Sequence, residues 1–126
     1  MTLNNQQDNR KCTRVKFSVS IVCNMFSENA EIEPQKIKPP LIFDSLDIST
    51  SGLSIVGESP LPLGSVMRFD LTVENDIFPV TCQVIYSERE DGSYRLGLEF
   101  RDIEKELLKV LKTLVTRLSL MGKVVK

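Results

Sequence analysis

Arg10-Lys11-Cys12-Thr13-Arg14 and Asp47-Ile48-Ser49-Thr50-Ser51-Gly52 hold the side chains of this sequence best suited to gripping a ligand. An arginine presents a planar fork that can bond a phosphate, hold the O6/N7 edge of guanine or lie flat on a base. A carboxylate accepts hydrogen bonds from the N1 and N2 donors of guanine, whereas adenine offers no matching donor pair. The chemistry on offer is therefore the binding of a small, flat, doubly anionic purine nucleotide, with guanine favoured. If residues 47–49 are extended, Asp47 and Ser49 share a side, because side chains alternate along a strand. Gly52 then permits a turn, positive φ included, that brings backbone N–H groups close to the ligand. The same residues also allow a purely structural account, with an Asx or Ser turn ahead of Gly52 and a surface ion pair for Arg14.

Composition narrows the field. A chain of 126 residues fits one domain with one core, and a net charge of −1 argues against long nucleic acid, whose recognition relies on a broad basic face. Positive charge is nevertheless gathered at Arg10, Lys11, Arg14 and Lys16, which suits a small anion or, more plainly, a solvated basic arm. There is no histidine, and Cys12, Cys23 and Cys82 show no CxxC spacing. That pattern predicts a reducing compartment and no metal, no resident cofactor and no catalytic residues, hence no enzyme. Cys23 and Cys82 fall on apolar faces and read as buried filler, while Cys12, between the two arginines, stands where a thiol can become oxidisable. Residues 1–9 are polar and read as a flexible tail without the apolar centre of a secretory signal. No apolar run nears the ~20 residues that span a bilayer, so the expectation is a cytoplasmic protein without membrane insertion.

The elements that must position these groups follow from periodicity. Val15, Phe17, Val19, Ile21 and Cys23 alternate with polar residues as in a half-buried strand. Residues 27–40, with Pro34, Pro39 and Pro40, read as a loop or irregular edge hairpin. Leu41–Ile48 and Leu53–Val56 flank the Asp/Ser turn, and Ser65–Val73, Phe78–Tyr86 and Tyr94–Phe100 complete the alternating segments, with Gly97 at a bulge or close backbone approach. Short strands at this spacing favour a closed antiparallel barrel, because closure removes exposed edges. From Asp102, which reads as a cap, Ile103, Leu107, Val110, Leu111, Leu114 and Leu118 recur at helical spacing over about 102–120. That stripe should pack across one end of the barrel; the alternative is a homodimer or partner surface, widened by Leu108, Val115 and Leu120.

The order RxxxR, strand, DxSxxG and Leu53-Ser54-Ile55 resembles the PilZ domain family, receptors for cyclic di-GMP. Pro62–Leu71 is similar to the turn and strand that follow the second motif, and Tyr94-Arg95-Leu96-Gly97-Leu98-Glu99-Phe100 to the last barrel strand. Asn9 is a departure, since many members carry a further arginine there. The resemblance implies a mainly β fold, a six-stranded antiparallel split barrel over about 15–100 with a C-terminal α-helix, in a single domain over 10–121. It assigns Arg10 and Arg14 to guanine and phosphate contacts, Asp47 and Ser49 to the polar edges of the ligand, and Gly52 to the turn. It further implies a non-enzymatic receptor whose arm folds over cyclic di-GMP and alters the surface shown to an effector protein in motility, biofilm or exopolysaccharide control. The rival expectation is an adaptor that keeps the barrel but binds no nucleotide.

Overall fold

Seven stretches pair as strands in the computed structural model, which describes residues 12–125. They are β1 (Val15–Lys16), β2 (Ser20–Ser27), β3 (Gln35–Ile48), β4 (Gly52–Gly57), β5 (Val66–Val73), β6 (Asp76–Glu90) and β7 (Ser93–Arg101), followed by helix α1 (Lys105–Leu120). All pairings are antiparallel in the order β1-β3-β2-β5-β6-β7-β4, and β3 also pairs with β4. That last pairing closes β2 to β7 into a six-stranded barrel, with β1 as an extra short strand on β3. The expected mainly β fold with a C-terminal helix is the one observed.

Three local readings need correction. The alternating segment from Val15 to Cys23 is two strands, because the chain kinks at Phe17–Val19 around Ser45. The Ser45 hydroxyl donates to the Phe17 carbonyl at 2.7 Å and accepts from the Val19 N–H at 2.8 Å, occupying groups that a continuous ladder would use. Next, β3 begins at Gln35 rather than Leu41. Its pairing with β2 steps from Lys36↔Met25 to Leu41↔Cys23, so residues 37–40 are the surplus of a wide irregularity. Pro39 and Pro40, which lack an N–H, sit in that unpaired surplus. Finally, α1 is capped at Glu104 without a side-chain hydrogen bond, and Asp102 adopts φ 52° in the link from β7 instead of capping it.

The remaining turns follow from residue type. Asp91 and Gly92 join β6 to β7 with φ of 49° and 84°, the paired positive values of the two-residue hairpin that matches strand twist. Inside the barrel Ile21, Phe43, Ile55, Met67, Leu71, Val84 and Leu96 are fully buried, as are Cys23 and Cys82. Leu107, Leu111 and Leu114 of α1 join the same core, so the helix stripe closes one end of the barrel. Arg117 pairs with Glu74 in the β5–β6 turn through both terminal nitrogens and ties the far end of the helix down. No helix among the described residues is long and apolar enough to cross a membrane.

Candidate functional site

Register, rather than proximity in sequence, brings the two motifs together. β1 pairs with the end of β3 through Val15↔Ile48 and Lys16↔Asp47, which brings the residues just before β1, Arg14 among them, alongside those just after β3, Ser49 among them. The Thr50 hydroxyl reaches the Cys12 sulfur at 3.7 Å, which continues the contact outward. Arg14, Ser49 and Gly52 line one open cavity of about 760 Å³, within the size range of small-molecule sites. Arg10 lies outside the described residues.

Asp47 is not on the cavity surface but directly behind it, only 1% exposed. Its Oδ1 is 3.9 Å from Arg14 Nε and its Oδ2 is 3.6 Å from Arg95 Nη2. Both separations exceed hydrogen-bonding distance, so among the described residues these two guanidiniums act on the carboxylate through charge. Asp47 Oδ1 and Arg95 Nε are both buried without a hydrogen-bond partner among the described residues. An unsatisfied buried polar atom carries a desolvation penalty of about 1–3 kcal/mol, and two in one cluster mark a place able to accept further partners.

Ser49 is held locally. Its hydroxyl accepts from the Ser51 N–H at 3.1 Å and lies 3.1 Å from the Ser51 hydroxyl, while its N–H donates to the Gly52 carbonyl at 2.9 Å. This is the Ser turn that the residue types allow. Gly52 opens β4 instead of supplying a positive φ. A Cβ there would stand 1.9 Å from the Leu98 carbonyl oxygen, so glycine is required by the close approach of β4 to β7.

Part of the lining is apolar. A register shift between Val84 and Tyr86 in β6 leaves Ile85 projecting, 52% exposed, and sets Tyr86 opposite Gly97. A Cβ on Gly97 would come within 2.1 Å of the Tyr86 ring, so the missing side chain makes room for that ring to lie on β7. The Tyr86 hydroxyl sits 3.2 Å from that of Ser54, which fixes the ring in place. Ile85 and Tyr86 thereby give the lining an apolar part, to which Val124 and Val125, next to Arg14, also contribute. Such a combination suits a base against the ring and an anionic group against the guanidinium.

Arg95, Tyr86 and the residues after α1 were not singled out from sequence as site groups. The signal for Arg95 is visible in hindsight: it is a cation inside the final strand, one of whose neighbours, Leu96, is fully buried. The others depend on a bulge and a chain reversal that residue types do not announce. A second cavity of about 370 Å³, near Arg68, Thr81 and Ile103, contains none of the expected site residues. Among the described residues no group of three His, Cys, Asp or Glu side chains converges as metal ligands would.

The comparisons with known proteins agree with this architecture. The family described as "PilZ domain" matches residues 8–117, ending within α1. The solved PilZ domain of YcgR from Escherichia coli, described with c-di-GMP, superposes with a TM-score of 0.62 at 17% identity, covering 90% of this chain and 93% of that one. MrkH from K. pneumoniae, in a structure described as its c-di-GMP complex, gives a TM-score of 0.53 at 14% identity over 90% of this chain and 54% of that one. A further MrkH structure, described as a c-di-GMP-dependent transcription regulatory factor, gives 0.54 at 12% identity over 85% of this chain and 49% of that one. The chain thus spans about half the length of MrkH. Among curated proteins no match is found. With most of its length matched by the family and the same barrel found in these structures, the chain belongs to the PilZ domain family.

Proposed function

We propose that the protein is a non-enzymatic receptor for cyclic di-GMP that binds it in the cavity lined by Arg14, Ser49, Ile85 and Tyr86. The observation that carries this reading is the meeting of the two motifs: Arg14 and Ser49 line one cavity, beside a buried Asp47 whose Oδ1 has no donor among the described residues. Membership of the family and the c-di-GMP named for YcgR and MrkH support this choice of ligand. Arg14 grips the phosphate or guanine face, and Asp47 and Ser49 take the guanine donors. Arg10, on the same arm, completes the grip. Tyr86 receives a base on its ring.

Binding changes the surface around the arm, because a ligand shifts a conformational balance by its difference in affinity between states. That surface is read by an effector protein in motility, biofilm or exopolysaccharide control. The working compartment is the cytoplasm, in keeping with three free cysteines.

Calorimetric titration of the purified protein with cyclic di-GMP, and with GTP for comparison, tests the reading and gives the molar ratio. Saturable binding of cyclic di-GMP with GTP inert supports it. No heat and no thermal shift with either nucleotide overturns it in favour of the nucleotide-free adaptor.

A further inference from the structure

Beyond the residues matched by the family, α1 ends in a reversal that returns the chain to the arginine arm. Gly122 adopts φ 79°, its N–H donates to the Ser119 carbonyl at 3.0 Å, and the Lys123 N–H donates to the Leu118 carbonyl at 2.9 Å. This paired arrangement with a left-handed glycine is the Schellman motif, which satisfies the last carbonyls of the helix and turns the chain back.

The three residues that follow run antiparallel to β1 on the edge that β3 leaves free. The Lys16 N–H donates to the Lys123 carbonyl at 2.9 Å, Val124 bridges Val15, and the Val125 N–H donates to the Arg14 carbonyl at 2.8 Å. Val15 and Lys16 are therefore held on both edges, by β3 and by the segment after α1, and the Arg14 carbonyl is held by the latter. Val124 and Val125 also line the same cavity as Arg14 and Tyr86.

From this we infer that residues 122–125 form a working part of the ligand site: they fix the backbone of Arg14 before the ligand arrives and supply part of the apolar wall. The inference rests on the cyclic di-GMP reading and deepens it. Backbone held in the bound geometry beforehand loses less conformational freedom on binding. Val125 acts as a positioning residue through its N–H, and the residue type at that position matters less than the donor.

Three variants of the full protein test this, with cyclic di-GMP as the probe. A chain ending at Met121 and the substitution Val125→Pro, which removes the donor to the Arg14 carbonyl, should each weaken cyclic di-GMP about three- to ten-fold, the weight of one or two hydrogen bonds. Val125→Ala keeps the N–H and trims only one side chain of the cavity lining, so it should retain clearly more of the parent affinity than Val125→Pro does. In the absence of nucleotide, the Lys16 amide should exchange with solvent faster in the truncated chain, a readout independent of binding. Because truncation can lower the melting temperature by itself, the contrast between Val125→Pro and Val125→Ala at matched stability is the deciding one. Parent-like affinity in Val125→Pro and in the truncated chain, with unchanged Lys16 exchange, overturns the inference and leaves the receptor reading standing. Failure of the parent protein to bind cyclic di-GMP overturns that reading and this one together.

Discussion

Asp47 and Arg95 lie 3.6 Å apart across the closing strands of the barrel, a carboxylate sealed from solvent beside a guanidinium whose side chain is 28% exposed. Truncating one member of a sealed ion pair leaves the other uncompensated, which costs about 3–5 kcal/mol when both are fully buried. Partial exposure of Arg95 reduces that, so Arg95→Ala should lower stability by about 1–3 kcal/mol. Asp47→Asn removes the charge at nearly constant volume, and it should lower cyclic di-GMP affinity about ten-fold or more while destabilising less than Arg95→Ala. Urea unfolding and calorimetric titration of both variants check the two halves of this statement. Parent-like affinity in Asp47→Asn would show that Asp47 serves the barrel alone.

The Arg14 side chain is 41% exposed and the residue lines the cavity, so little of the core depends on it. Arg14→Ala should leave the melting temperature nearly unchanged and weaken nucleotide binding about ten-fold, the weight of one bidentate contact. Arg14→Lys should recover only part of that, since an ammonium does not reproduce the planar fork. Full recovery by lysine would reduce the role of Arg14 to its charge.

The Tyr86 ring occupies the space that a side chain at position 97 would need. Gly97→Ala should displace the ring and destabilise the barrel by about 1–3 kcal/mol, as expected for overpacking. In a Tyr86→Ala background the same change should cost far less, because the clash is gone. A double-mutant cycle measures this coupling, and strict additivity would refute the packing relationship.

Thiol labelling separates the three cysteines. Burial raises the pKa of both Cys23 and Cys82, and the Cys23 thiol donates to the Met25 carbonyl at 3.2 Å. Cys12 is partly exposed on the cavity wall. An aromatic disulfide reagent at neutral pH should therefore modify Cys12 alone in the folded protein and all three after unfolding. Cyclic di-GMP should slow the reaction at Cys12. Rapid labelling of Cys82 in the folded state would contradict its burial.

At low pH the Glu74–Arg117 contact should weaken. The hydrogen bond from Arg117 lowers the Glu74 pKa from its ordinary value of 4.5, so the contact contributes above that value and fades as pH falls through the lowered one. Glu74→Gln should remove this part of the acid-induced loss of stability and leave the melting temperature near pH 7 only slightly reduced, as befits an exposed pair. Melting curves from pH 7 down to pH 3 make the comparison.

Much of the barrel was legible because alternation in Met67–Val73, Phe78–Tyr86 and Tyr94–Phe100 carries its own period, and the leucines of α1 carry theirs. What stayed hidden depends on contacts between distant residues. The kink at Phe17–Val19 is set by a hydroxyl at position 45, and the early start of β3 by a register step that accommodates two prolines. Asp102 has the chemistry of a cap but a backbone that places it elsewhere. At the site, residue types named Arg14, Asp47, Ser49 and Gly52, yet Asp47 lies behind the wall, and Gly52 is required by the Leu98 carbonyl and not by a turn. Arg95 was out of reach because its meeting with Asp47 depends on how the ring of strands closes.

That closure has a mechanical side. The residues of β3 that join β4 are continuous with Asp47, which pairs with both Lys16 and Ser54. The seam of the cylinder and the carboxylate beside the cavity are thus one stretch of chain, and at the proposed site a ligand touching both Ser49 and Ser54 would rivet its two sides. On that reading the occupied cylinder should yield at higher force than the empty one.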